Sequence, residues 1–247
     1  MDNTIAQPVS KETVTLVPQH IVLFPDGNRR WAKERGLDTL EGHLAGYRNL
    51  IPFCTWCKEK GVKVVTAFGF STENWNRPER EVTYLMKLLE NGLRENFSKE
   101  AQKSEGKRLG VRVRVIGQRD RLPQPLKETI QEVEEYTKDN LSLSLNLAIS
   151  YGGRWDIIQA IKRIVQENIP PEQITEEAFK NYLSTSGLPD PDLVIRVGGE
   201  KRFSNFVLWQ AAYAELYFCP KYWPDFTEQD LDEALSEYAR RQRRFGS

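Results

Sequence analysis

The chain has 247 residues, 39% of them apolar and 28% charged, which suits one α/β domain, or at most two small ones, with a substantial core. Lys plus Arg and Asp plus Glu stand at 35 each, so no global basic field draws in nucleic acid, and any anion site must be built locally. No apolar run reaches the roughly 18 residues of a membrane span, and Cys54, Cys57 and Cys219 are too few for a disulfide framework, pointing to a reducing, cytoplasmic setting.

The opening MDNTIAQPVSKETVTLVPQ lacks the basic start and apolar stretch of a secretory signal. Residues 1–17 read as a flexible tail, and 18–247 as the folded domain. Strand-like runs occupy 19–24, 62–70, 111–117, 141–149, 192–197 and 213–218, rich in Val, Ile, Leu and Phe. Between them lie helical patterns over about 29–35, 43–60, 79–99, 123–138, 154–168, 175–184 and 227–243. Pro52 should kink or split the second helix, and Thr227 with Asp230 gives the last one a capping start. The polar segment 99–110 reads as a mobile connection. Cys54-Thr-Trp-Cys57 has no second pair and sits in an apolar helical pattern, which favours packing over redox or metal chemistry. The alternation predicts a single α/β domain with a central, mostly parallel six-stranded sheet flanked by about seven helices. In such folds chemistry gathers beyond the carboxyl ends of strands.

Four strands lead into or carry polar groups there. Phe24-Pro25-Asp26-Gly27-Asn28-Arg29-Arg30-Trp31 follows the first strand and opens a helix. Gly27 permits unusual backbone angles, Asn28 can cap the helix, and its first N–H groups form an anion seat. Arg29 and Arg30 suit phosphate oxygens. Asp26 would repel a bare phosphate unless a cation lay between them, which suggests Mg²⁺ bridging carboxylate and diphosphate. An Asx turn with solvated arginines fits the same string. Ser71-Thr72-Glu73-Asn74-Trp75-Asn76-Arg77-Pro78 follows the second strand and reads equally as a polar site or a capped helix entry. The run Arg196-Val-Gly-Gly-Glu200-Lys201-Arg202-Phe203-Ser204-Asn205 puts many donors near one another before a helical segment, or forms a solvated loop. Glu215 stands in an otherwise apolar strand and needs a metal or an Arg partner. His43, starting a helix, caps, packs or binds phosphate, and Tyr151-Gly152-Gly153-Arg154 reads mainly as a tight strand–helix turn. The sequence holds no G-x-x-x-x-G-K-[ST], G-x-G-x-x-G or D-D-x-x-D. Nucleotide enzymes and helical trans-prenyl synthases therefore have no support, and Ser71 lacks a nucleophile-elbow context.

The strings PDGNRRWA, GFSTENWNRP, NLAISYGGRWDI and DLVIRVGGEKRFSNFVLWQAAYAELYF resemble the undecaprenyl diphosphate synthase (cis-prenyltransferase) family, in family order over roughly 19–246. The resemblance implies a homodimeric catalytic domain with an apolar tunnel, condensing isopentenyl diphosphate with a farnesyl, geranyl or dimethylallyl diphosphate. It implies that Asp26 ligates Mg²⁺, with Glu215 completing the metal site. Gly27, Asn28, Arg29, Arg30 and His43 would hold the allylic diphosphate, with Trp31 beside it. Ser71, Thr72 and Glu73 would order the adjoining loop with Trp75 and Arg77, and Asn74 matches a position linked to proton removal. Arg196, Arg202 and Ser204 would grip isopentenyl diphosphate, with Phe203 between them. The chain departs from the family at Pro25, Thr39 and Lys201, which leaves a short-chain or irregular coupling as the alternative to a long polyprenyl product. A non-catalytic partner subunit would typically lose the Asp and the arginines, and Asp26, Arg30, Arg196 and Arg202 all stand. A hydrophobic product would favour peripheral membrane contact.

Overall fold

The computed structural model describes residues 16–102 and 110–241. Most of the expected tail, most of the 99–110 connection and the last residues of the final helical pattern lie outside the described residues. Six strands form one parallel sheet: β1 (His20–Phe24), β2 (Val64–Ser71), β3 (Val111–Ile116), β4 (Leu143–Tyr151), β5 (Leu193–Arg196) and β6 (Glu215–Phe218). Their order is β3-β4-β2-β1-β5-β6, with every neighbouring pair parallel. Alternate side chains of β1 enter different cores, Ile21 and Leu23 on one face and Val22 and Phe24 on the other. Such two-sided burial is why the strand reads as a continuous apolar run.

The helices are α1 (Asn28–Glu34), α2 (Thr39–Glu59), α3 (Glu79–Phe97), α4 (Lys99–Gln102), α5 (Gln124–Thr137), α6 (Gly153–Gln166), α7 (Glu176–Lys180) and α8 (Glu228–Arg240). α4 is a single short turn beyond the seven expected. α2 begins at Thr39 rather than residue 43, because Asp38 Oδ1 accepts from Leu40 N–H and Glu41 Oε2 accepts from Asp38 N–H. That capping box adds a polar first turn ahead of the apolar periodicity. Pro52 neither splits nor ends α2. One lost backbone bond is tolerated where Phe53, Cys54 and Cys57 on the same stretch are buried in the main core. α7 is shorter than the pattern over 175–184 suggests, and residues 203–213 form turns instead of a helix. Ser204, Asn205 and Val207 there take positive φ of 45°, 62° and 39°, which a helix cannot accommodate.

From β1 the sheet extends through β2, β4 and the edge strand β3 on one side, with β4 inserted between β2 and β3, and through β5 and β6 on the other. The carboxyl ends of β1, β2 and β5 therefore open a crevice where the connections part, the place where open parallel sheets bind ligands.

Candidate active site

A cavity of about 950 Å³ opens at that crevice, large for a small-molecule site. Its mouth carries Asp26, Glu73 and Glu200 among six arginines: Arg29, Arg30, Arg77, Arg154, Arg196 and Arg202. A chain of zero net charge thus concentrates positive charge at one spot. Farther in, the lining becomes apolar, with Leu50 and Ile51 from α2, Leu85, Leu89, Leu93 and Phe97 from α3, and Leu147 from β4.

Asp26 and Arg196 form the centre of the mouth. Arg196 ends β5 and is 3% exposed. Its Nη2 donates to Asp26 Oδ2 at 2.6 Å and its Nη1 to Ser204 Oγ at 3.1 Å. A charge so buried requires such partners. Its planar face lies 4.7 Å from the Phe24 ring centroid, while Nε is buried without a partner. Gly27, with φ 98°, precedes α1, and a Cβ on it would come within 2.5 Å of Tyr222. Gly27, and not Asn28, is the N-cap; Asn28 is already helical, its Oδ1 buried against Gly46. Arg30 lies over the Tyr222 ring and pairs with Glu200 at 3.3 Å, and Glu200 also accepts from Arg202.

Beside this centre sits a group the motifs did not single out. Glu81, 6% exposed in the first turn of α3, has Oε1 2.9 Å from His43 Nε2 and 3.1 Å from Arg77 Nη1. Arg29 Nε approaches to 3.8 Å. Burial raises the Glu81 pKa, but the hydrogen bond from His43 and the charges of Arg77 and Arg29 outweigh it, leaving a net lowering. For His43, burial lowers the pKa more than the Glu81 hydrogen bond raises it. Glu81 lies outside the strings singled out in the sequence; its spacing from Arg77, one turn apart, was the available signal.

The loop after β2 is tied from both ends. Asn74 Oδ1 accepts from Ser71 N–H at 3.0 Å, and Glu73 Oε1 accepts from Asn205 Nδ2 at 2.9 Å. Burial pushes the Glu73 pKa up, but hydrogen bonds from Asn205, Thr72 and Ser71 prevail and lower it. Asn205 also accepts Arg154 N–H on its Oδ1 and Gly153 N–H on its backbone carbonyl. Asn205, the last residue of the third string and given no role of its own there, joins three of the expected clusters.

Asp26, Gly27, Asn28, Arg29, Arg30, His43, Ser71, Glu73, Asn74, Arg77, Arg196, Arg202 and Ser204 all line the cavity. Five expected residues do not. Trp31 donates to Asp225 at 2.7 Å and stacks with Arg35. Thr72 donates to Glu73. Trp75 donates to Ser150 Oγ at 2.8 Å and packs edge-on against Phe70, with Arg121 over its ring. Phe203 packs against the core containing Phe24 and Phe206. Glu215 pairs in register with Leu193 at the amino end of β5, whereas Asp26 follows Phe24, the partner of Arg196 at the carboxyl end. Within one chain Glu215 is therefore not brought to Asp26; its carboxylate accepts from Arg241 at 2.6 Å.

Among the described residues no three His, Cys, Asp or Glu side chains gather to hold a metal. A hard divalent ion that keeps waters and shares substrate phosphates needs only one or two carboxylates. Asp26, 41% exposed at the side chain and ringed by arginines, fits that mode.

The family model described as "Putative undecaprenyl diphosphate synthase" matches residues 24–246. An isoprenyl transferase of Aquifex aeolicus is 47% identical over 230 residues, covering 93% of this chain and 96% of that one. A ditrans,polycis-undecaprenyl-diphosphate synthase of Legionella pneumophila, described as (2E,6E)-farnesyl-diphosphate specific, is 43% identical over 93% and 96% of the two chains. Among solved structures, lavandulyl diphosphate synthase from Lavandula x intermedia, in complex with dimethylallyl diphosphate, superposes with a TM-score of 0.86 at 39% identity, covering 94% of this chain and 99% of that one. A structure described as "a probable undecaprenyl diphosphate synthase" from Campylobacter jejuni gives 0.76 at 35% identity, over 93% and 99%.

Proposed function

The chain belongs to the undecaprenyl diphosphate synthase family of prenyltransferases, and from that premise we propose that it condenses isopentenyl diphosphate with an allylic diphosphate in cis configuration. The observation that carries this reading is one cavity with an arginine-ringed Asp26 at its mouth and leucines and Phe97 within. Diphosphates suit the first part and prenyl tails the second.

Arg29, Arg30 and His43, with the first turn of α1, hold the allylic diphosphate, and Glu81 fixes the orientation of His43 and Arg77. Arg196, Arg202 and Ser204 hold isopentenyl diphosphate. Asp26 is the residue that would hold Mg²⁺. Bound Mg²⁺ supplies charge neutralisation for a diphosphate as it departs. When the allylic C–O bond breaks, its electron pair leaves with the diphosphate, and guanidinium donors stabilise that charge. The isopentenyl double bond then supplies the electrons of the new carbon–carbon bond, and the released diphosphate accepts the proton lost from the adjacent carbon as the cis alkene forms. Asn74, at the mouth and anchored to Ser71, assists that proton loss. Holding both reactants in one water-poor cavity supplies the remaining advantage.

A long, undecaprenyl-like product is supported by the Legionella relative's described activity. A short-chain or irregular coupling that starts from dimethylallyl diphosphate is supported by the 0.86 superposition on lavandulyl diphosphate synthase. A homodimer is supported by the sheet edge at β6 and by exposed Tyr213, Phe218, Ile158, Ile161 and Val165. No helix of the described residues is long and apolar enough to cross a membrane; an apolar product supports peripheral contact from the cytoplasmic side, consistent with three buried free cysteines.

The test is incorporation of labelled isopentenyl diphosphate into lipid by purified protein, with dimethylallyl, geranyl and farnesyl diphosphates offered separately. Incorporation with at least one primer, lost on chelation and restored by Mg²⁺, is expected. No incorporation with any primer would refute the proposal.

A further inference from the structure

Tyr47 lies one turn beyond His43 on α2, and both line the cavity. Residues four apart share a helix face, so α2 offers His43 to the polar mouth, then Tyr47, then Leu50 and Ile51 to the apolar interior. Opposite stands Gly92 in the middle of α3, a poor residue for a helix interior. Its backbone is ordinary helix, so conformational need does not explain it; closeness does. A Cβ on Gly92 would come within 2.2 Å of Tyr47 Cζ. One turn farther along α3, Asn96 donates both to the Tyr47 hydroxyl and to Gly92 O. The ring therefore has a seat and a tether. Burial raises the phenol pKa, with the neighbouring Glu95 adding to it and the Asn96 bond opposing, so the hydroxyl stays neutral and satisfied within an otherwise greasy wall.

We propose that Tyr47, seated on Gly92 and tethered by Asn96, determines how long a prenyl chain the cavity accepts. The inference rests on the prenyl transfer proposed above. A phenol group has seven heavy atoms, comparable with the five carbons added in each cycle. Removing the ring frees room for another unit, and pushing the ring off Gly92 shifts it within the cavity it lines, at the expense of room there.

The experiment resolves by mass spectrometry the products made from farnesyl diphosphate and excess isopentenyl diphosphate by the wild-type, Tyr47→Ala and Gly92→Ala proteins. Tyr47→Ala should move the most abundant product up by at least one five-carbon unit. Gly92→Ala should move it down by at least one unit, since the new methyl displaces the ring. If either folded variant leaves the distribution unchanged or shifts it the opposite way while product still forms, this inference falls and prenyl transfer stands. If the wild type forms no carbon–carbon bond, both fall. Should Tyr47→Ala not fold, Gly92→Ala decides alone, because Ala suits a helix interior and removes no packed group.

Discussion

At the cavity mouth the functional side chains ride on segments leaving β1, β2 and β5, whereas the inner wall is made by the regular faces of α2 and α3. The mouth uses left-handed backbone at Gly27, Gly198, Gly199, Ser204 and Asn205, bringing charges close that regular structure would keep apart. The wall uses helical spacing and one close contact, Tyr47 on Gly92. Under the function and the inference proposed above, bond-making and size selection fall to different parts of the chain. Substitutions at the mouth should alter rates and diphosphate affinities, and substitutions in the wall should alter which products appear.

The largest effect expected is at the centre of the mouth. Asp26→Ala should lower turnover by about a thousandfold, the loss typical of removing a key electrostatic group at a site of developing charge. Circular dichroism should show a folded protein and thermal melting a lowered midpoint, since buried Arg196 loses a partner, and near-normal turnover would break the assignment. Next comes Arg202→Ala. Arg202 is exposed and its guanidinium pairs with Glu200, so its loss should spare the fold and raise the KM for isopentenyl diphosphate roughly tenfold, the worth of one charged hydrogen bond. A rise confined to the allylic KM would mean that the two diphosphate positions are exchanged. Glu81→Gln should have a smaller effect, raising the allylic KM about fivefold as a charge-assisted bond to His43 and Arg77 becomes a neutral one. An unchanged allylic KM would remove Glu81 from the positioning of that substrate.

The smallest effect lies far from the mouth. His20 is buried at the amino end of β1, with Nδ1 2.7 Å from Pro189 O and Nε2 2.8 Å from Thr66 Oγ1. Burial lowers its pKa below the ordinary 6.5, against the opposing pull of the Pro189 carbonyl, Asp192 and Asp190. As pH falls the unfolded chain therefore binds this proton first. The stability contributed by neutral His20 is complete above about pH 6.5 and is lost below it. His20→Asn should flatten the fall in denaturation midpoint between about pH 7 and pH 5 without changing product length. A slope as steep as that of the wild type would show that other groups carry the acid sensitivity.

Much of this arrangement was legible in sequence, because alternation of apolar runs and polar strand ends is a local property. The parallel sheet and the gathering of Asp26, Arg30, Arg196 and Ser204 followed from it. What stayed hidden depended on tertiary approach. Trp31 and Trp75 share strings with site residues, yet their rings turn to Asp225 and Ser150, since side-chain direction is decided by what packs nearby. Glu215 reads as buried and needing a partner, and it finds Arg241 because its strand position places it at the other end of the sheet. Glu81, Asn205 and Tyr47 act through residues distant in sequence: His43, Glu73 and Gly92. The start of α2 was a purely local omission, since Asp38 and Glu41 make a capping box that the apolar periodicity does not include.

The division of labour is tested most directly by measuring the isopentenyl diphosphate KM and the product-length distribution together in Arg202→Ala and Tyr47→Ala. The account predicts that Arg202→Ala raises the KM and leaves chain length unaltered, while Tyr47→Ala lengthens the product and leaves that KM within about twofold. Both readouts moving together in each variant would contradict it.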